Sequence, residues 1–345
     1  MNISYVRGYR DPHMGLRIWS IVARNVPGLV VMRVPMHIPS RFKYLSGSKA
    51  VALAYKLFGH LLLIKRIAHT KSGTVLVREF LTWPLLLISP FLFFQRHRLL
   101  FVCQHNIAFA AHNLTHRLIL KLLRKIGLRF VLFEESVAWQ VVENSNPPAE
   151  NVRSISMPFP AGVMRKTRSL PDGILTIGFV GNFRKEKSPL WALQAIHAGI
   201  ASSDKLANCR LIVGTSDLEL RSHFAEHAQV MDTSSYASYI AVLCACDVVV
   251  LPYEPASYAY RSSGVLAEAV ACGCAVVVPD VPTLRQQVFQ PMAVGACYSD
   301  RADFLSAVQS AVSLVRQGEL KAALDAHRIQ RGATGVRAAF LGFTQ

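Results

Sequence analysis

VVVLPYEPASYAYRSSGVLAEAVACGCAVVVP, Val248 to Pro279, holds the pattern that decides the fold. Val248–Leu251 is a run of aliphatic, mostly β-branched residues, which predicts a buried strand stopped by Pro252. A polar loop follows. Ser262-Ser263-Gly264 then opens a helix over Gly264–Cys272, and Ala275–Val278 is a second, wholly apolar strand ended by Pro279. Apolar strands separated by a helix are the repeating unit of a parallel sheet buried on both faces.

Upstream, TIGFVGNFRKEKSP, Thr176–Pro189, has the same logic. Strand Leu175–Val180 runs into Gly181, a loop carries Arg184, Lys185 and Lys187, and a helix over Ser188–His197 is opened by Pro189. Glycine lets the backbone come close to a ligand, and a helix N-terminus favours an anion. Arg184 can fork onto phosphate oxygens, and Lys187 adds a compact charge. In the later stretch the Ser-Ser-Gly amides are natural phosphate donors. Glu268 lies one turn into that helix and points back toward its start, where a carboxylate can accept from a ribose diol. The plain structural readings of the same residues are a solvated charged loop and a serine cap with an exposed glutamate. Neither stretch is a P-loop or a G-x-G-x-x-G fingerprint.

The alternation extends both ways. Strand Arg210–Val213 and helices Tyr236–Cys244 and Ala302–Val315 complete the second half. The first half predicts strands Ile3–Val6, Leu29–Val34, Thr74–Arg78, Leu99–Cys103 and Phe130–Phe133. Its helices are Met14–Arg24, Ser48–Ala68, Leu85–Phe94 and the basic amphipathic Leu114–Ile126. Turn-rich segments place a linker at about residues 158–173. The reading is α/β, with two doubly wound, Rossmann-like domains: residues 1–160, residues 173–326, and a closing segment 327–345. Such sheets bind ligands at the C-terminal ends of their strands.

Composition bounds the rest. Hydrophobic residues are 52% and charged residues 17%, enough apolar material for two cores and too much for disorder. The net charge of +17 sits in residues 1–172, which hold 24 Lys and Arg against 7 Asp and Glu. That half is expected to meet a polyanion: a membrane surface, a phosphorylated acceptor or nucleic acid. Nucleic acid is disfavoured, because no RGG tract, zinc spacing or aromatic-basic strand motif accompanies the charge. The seven cysteines are an odd number in apolar runs. Cys244/Cys246 and Cys272/Cys274 have no spaced histidines, so they read as buried thiols of a reducing compartment, not a zinc site. The polar start does not read as a secretory leader. Phe80–Phe94 is 15 residues long and carries Pro84 and Pro90. It is too short to span a bilayer and is predicted to be a buried helix, with a peripheral membrane contact left open.

Together, GNFRKEK and LPY…RSSGVLAEAVACGCAVVVP resemble the GT-B glycosyltransferases of the family usually numbered four, over residues 173–315. The resemblance implies two Rossmann-like domains facing a cleft. It also implies transfer of a sugar, hexosyltransferase-like and with retention, from a nucleoside-diphosphate sugar to a hydroxyl acceptor. Arg184 and Lys187 would hold the diphosphate, Gly181 would border it, Ser263 and Gly264 would offer amides, and Glu268 would bind the ribose. Many members carry E-x7-E, but the first of those positions here is Tyr260. A surface-polysaccharide branch also lacks that glutamate, and Glu254 is the nearby candidate to replace it. FVCQHNIAFAAH, Phe101–His112, resembles a strand-end segment in which His105 would touch the transferred sugar, with Asn106 and His112 behind it. Gly8 and Arg10 could line the acceptor side. No cofactor and no metal are expected, and no Asp-x-Asp motif is present. The acceptor is expected to be a lipid-linked or surface saccharide. The protein is expected in the cytoplasm, at the inner face of an anionic membrane, through Lys56, Lys65, Arg66, Lys121, Arg124 and Lys125. The competing classes are a non-catalytic nucleotide-sugar or lipid-binding protein and a sugar-nucleotide epimerase on the same fold.

Overall fold

LLFVC, Leu99–Cys103, is apolar throughout and buried at every position, as a strand covered on both faces must be. In the computed structural model, which describes residues 22–32, 34, 49–70, 73–103, 106–134, 137–143, 150–160, 173–181, 183, 187, 190–217 and 224–344, it is the central strand of the first sheet. The elements of that half are β1 (Leu29–Met32), α1 (Lys49–His69), β2 (Thr74–Val77), α2 (Thr82–Leu92, extended by a 3-10 segment Phe93–Arg98), β3 (Leu99–Cys103), α3 (Asn106–His112), α4 (Leu114–Lys125), β4 (Arg129–Phe133), α5 (Val137–Glu143) and β5 (Val152–Ile155). The five strands are parallel in the order β1-β2-β3-β4-β5. Right-handed crossovers that always step the same way place their helices on one face, and α2 packs between α1 and α4. Phe80, Phe101, Phe130 and the fully buried Trp139 form the aromatic core, with ring centroids 5.3–6.1 Å apart along the chain of contacts.

The segment Phe80–Phe94 departs from its predicted burial. α2 buries Pro84, Leu85, Ile88 and Leu92, yet leaves Trp83, Leu87 and Phe91 exposed. Its apolar residues run all round, so hydrophobicity alone did not mark which face packs. Among the described residues, no helix is long and apolar enough to cross a membrane. The predicted strand Ile3–Val6 and most of helix Met14–Arg24 lie outside the described residues, as do Gly8 and Arg10.

The second half comprises β6 (Leu175–Val180), α6 (Leu190–Ser202), β7 (Cys209–Thr215), β8 (Gln229–Asp232), α7 (Tyr236–Ala245), β9 (Val248–Val250), α8 (Pro255–Tyr258), α9 (Gly264–Cys272), β10 (Ala275–Pro279), α10 (Pro282–Phe289), β11 (Gly295–Tyr298), α11 (Phe304–Arg316), α12 (Leu320–Arg331) and α13 (Ala333–Thr344). Its six strands are parallel in the order β11-β10-β9-β6-β7-β8. From β6 the chain steps outward through β7 and β8, then returns to the other side of β6 to build β9, β10 and β11. This is the doubly wound order, with helices on both faces. By spatial grouping, Ala23–Ile155 and the residues from Ala339 on form one unit, and Ser156–Ala338 the other.

The seven cysteines form no disulfides, and five of them are buried. The thiols of Cys246 and Cys274 donate to backbone carbonyls, Cys246 to Val242 and Cys274 to Leu243, both at 3.2 Å.

A histidine anchors the end of the second unit. His327 has no exposed surface; its Nε2–H donates to the Met292 carbonyl at 2.7 Å and its Nδ1 accepts from Arg331 Nε at 3.2 Å. Arg331 also donates to the carbonyls of Met157 (3.4 Å) and Gln290 (3.3 Å). Burial, and then the Arg331 charge, push the imidazole down to about 4. Between pH 6.5 and 4 the unfolded chain takes up this proton and the folded chain does not. The stability the neutral ring contributes is therefore complete above about pH 6.5 and lost as the pH falls toward 4, by about 3 kcal/mol over the window. Urea unfolding of His327→Gln across that range will show a shallower pH dependence than the parent; equal slopes would remove the histidine from this role.

Candidate active site

The sheet of the second unit reverses its winding between β6 and β9, which pair side by side. A crevice opens where the connections leave neighbouring strands in opposite directions, at their C-terminal ends. There, Val180 at the end of β6, Gly181, Phe183 and Lys187 from the segment after it, and Val250–Tyr253 from the end of β9 line one cavity. Gly181 turns the chain off β6 at φ +135°, a conformation essentially closed to residues with a side chain. A Cβ built there would lie 3.8 Å from Cγ2 of Val265 in the first turn of α9. The glycine turn and the start of α9 are thus in van der Waals reach.

α9 is buried from Val265 to Cys272. Its N-cap is Ser263, whose Oγ accepts from Leu266 N at 3.2 Å, and its C-cap is Gly273 in the left-handed conformation at φ +96°. Gln287 of α10 clamps the cap residue on both sides. Its Oε1 accepts from the Ser263 amide at 2.7 Å and its Nε2 donates to the Ser263 carbonyl at 3.2 Å. The Ser263 amide is therefore engaged, and the first-turn amides left for an anion are those of Gly264 and Val265. The aligned peptides of α9 add a field equivalent to about half a positive charge at this end.

Two tyrosines couple the cations to the helix start. Tyr253 stacks on Tyr258 with ring centroids 3.9 Å apart, and its hydroxyl hydrogen-bonds to Ser263 Oγ at 2.9 Å. Lys187 Nζ stands 5.2 Å from the Tyr253 ring centre, and the Arg261 guanidinium 5.3 Å from that of Tyr258. Burial, then the neighbouring Tyr258, raises the Tyr253 phenol well above its ordinary range, so it stays protonated. A pair of cations, a glycine turn and a helix N-terminus thus meet at a switch point, an arrangement whose chemistry suits an anionic ligand.

Residues 175–313 match the family described as Glycosyl transferases group 1. HepE from Anabaena, solved with UDP and glucose, is similar over 96% of this chain and 94% of its own, at 13% identity and a TM-score of 0.55. An α,α-trehalose-phosphate synthase (UDP-forming) from Burkholderia vietnamiensis is similar over 94% and 83%, at 13% identity and a TM-score of 0.56. The chain is a glycosyltransferase of the GT-B fold. The structure of E. coli trehalose-6-phosphate synthase bound with UDP-2-fluoro glucose is similar over 86% and 79%, at 12% identity and a TM-score of 0.58. At such identities these likenesses are likenesses of fold. Curated protein sequences give no significant match.

The glycosyltransferase gathers Gly181, Lys187, Ser263 and Gly264 around one crevice. Glu268 has a different setting from an open ribose contact: its carboxylate has no exposed surface and accepts from Tyr239 Oη at 2.7 Å and Tyr236 Oη at 3.3 Å, both from α7. Burial, then the Glu268 charge, pushes the Tyr239 phenol well up, which keeps it a donor. Glu254 is exposed before α8 and accepts from Ser257 Oγ at 2.7 Å. Asn106 is buried and donates to the Phe80 carbonyl at 3.1 Å, a structural bond, and His112 is exposed at the end of α3. Arg184 and His105 lie outside the described residues. Sequence reading passed over Arg261, although it directly precedes the Ser-Ser-Gly turn and that position was its signal. It also passed over Gln287, which carried none.

Proposed function

We propose that this glycosyltransferase takes a nucleoside-diphosphate sugar as donor and seats its diphosphate at the β6/β9 switch point. The observation that carries the reading is the meeting of the Gly181 turn with the first turn of α9 beneath Lys187 and Tyr253. As the glycosidic bond breaks, negative charge grows on the leaving diphosphate. Lys187, the Gly264 end of α9 and, on the family resemblance, Arg184 stabilise that charge in place, without a metal or cofactor being called on. The resemblance further assigns retention at the anomeric carbon and a sugar contact to His105. The reading includes a ribose contact for Glu268, for which the Tyr236 hydroxyl, the longer of its two tyrosine bonds, gives way to the ribose diol. The strongly basic first 172 residues favour an acceptor that is anionic or lipid-linked, as in saccharide assembly on the cytoplasmic face of a membrane.

A panel of UDP-, GDP-, ADP- and TDP-sugars tests the donor class. A ligand at 100 times its dissociation constant stabilises the folded chain by about 2.7 kcal/mol, which raises the unfolding midpoint by about 5–10 °C for a unit of this size. One nucleotide series will give that shift with the parent and a much smaller one with Lys187→Met. If no nucleotide sugar or free nucleoside diphosphate moves the midpoint of the folded protein, the donor assignment is wrong.

A further inference from the structure

The helix layer of the first unit has apolar residues on both its faces. The inward stripes fill the core, as described. The outward stripe of α2 and its 3-10 extension consists of Trp83, Leu87, Phe91 and Phe94, at helical spacing; all four are exposed, Phe94 by 84%. On α4, Leu118 and Leu122 are exposed one turn apart, although the same helix buries Ile119, Leu120 and Leu123. α1, packed on the other flank of α2, has three exposed apolar side chains of its own, Leu53, Phe58 and Leu61. Water-soluble surfaces rarely leave apolar stripes side by side over three packed helices, so this face has an occupant.

The charges around it choose the occupant. The last turn of α1 carries Arg66, that of the 3-10 segment Arg96 and Arg98, and that of α4 Lys125, beside Arg124, which pairs with Glu143. None of these elements has an acidic residue in its first turn. Because α1, α2 and α4 all link parallel strands stepping one way, these last turns share one edge of the layer. An apolar field with a cationic edge matches acyl chains below and anionic headgroups beside them. A second copy of the chain would bring the same excess of cations against it, 24 Lys and Arg to 7 Asp and Glu in residues 1–172. We propose that the outer face of α1, α2 and α4 docks the protein on an anionic bilayer, with the α2 stripe inserted among the acyl chains. The proposal uses no residue of the donor crevice and stands or falls apart from it.

The full chain is tested by sedimentation with vesicles of phosphatidylcholine, with and without phosphatidylglycerol, at low and high salt. It will bind the anionic vesicles, and the variant with serine at positions 83, 87, 91 and 94 will bind about tenfold more weakly or less, with an unchanged unfolding midpoint. Lys65→Glu with Lys125→Glu, both exposed side chains, will weaken binding at low salt and little at high salt. Brominated acyl chains will quench tryptophan emission in the parent and not in Trp83→Phe, which reads insertion even if the serine variant fails to fold. Absence of binding at low salt, binding indifferent to the α2 stripe, or quenching that survives in Trp83→Phe would each overturn the proposal. So would a dimer that the serine variant dissociates, which would give the face to a second copy.

Discussion

Lys187→Met lowers kcat for sugar transfer by about 100-fold or more, while the unfolding midpoint hardly moves. The two readouts separate because the lysine does two unequal things. As a cation near the Tyr253 ring, at 5.2 Å, it contributes about 0.5–1 kcal/mol to the folded state. As a fixed charge at the crevice it holds the anionic donor and meets the further negative charge that develops as the donor bond breaks, and removing such a group costs about 3–4 kcal/mol of barrier. Methionine keeps an unbranched stem of similar length, so the substitution deletes charge and little packing. Steady-state kinetics on the best donor, beside a thermal scan, gives both numbers. Arg261→Met is the comparison: it removes the other cation of the tyrosine pair. A parent-like kcat in Lys187→Met would show that the crevice is not where the leaving group departs.

How much of this was visible beforehand depended on burial. β3 and β6 are buried at every position, and their predicted ends, Leu99–Cys103 and Leu175–Val180, coincide with the observed ones. So do those of α9, whose start is written in a serine cap and whose end is written in Gly273. The strands that sequence reading passed over are β5 (VRSI), β8 (QVMD) and β11 (GACY). Each lies at a sheet edge, where a strand has one partner and needs no apolar run. α10 was invisible for a related reason. Its buried face holds Thr283 and Gln287 beside Leu284 and Val288, so its periodicity is broken by polar residues. Gln287 is paid for by its two bonds to Ser263, and that partnership joins positions 24 residues apart. The same limit applies to Glu268. Its place on the helix was legible, but Tyr236 and Tyr239, which hold it, sit on a helix that precedes β9.

Glu268→Ala produces the largest loss of stability among single changes at the site, about 2–4 kcal/mol, or a drop of about 5–15 °C in the unfolding midpoint. The carboxylate is wholly buried, and its removal leaves the hydroxyls of Tyr239 and Tyr236 facing a gap where their acceptor stood. Burial keeps the Tyr239 phenol protonated, well above its ordinary range, so that hydroxyl remains a donor. The two bonds are unequal, 2.7 Å to Tyr239 and 3.3 Å to Tyr236, and this inequality splits stability from donor affinity. Tyr239→Phe removes the shorter bond and carries most of the destabilisation. Tyr236→Phe removes the hydroxyl that a ribose diol displaces in the proposed donor complex; the longer bond it breaks costs about 1 kcal/mol of stability or less, and donor KM is expected unchanged or lower. Thermal scans and KM for the three variants decide the matter. If Glu268→Ala melts with the parent, the carboxylate does not organise this helix pair. If Tyr236→Phe raises donor KM, the ribose does not take its place.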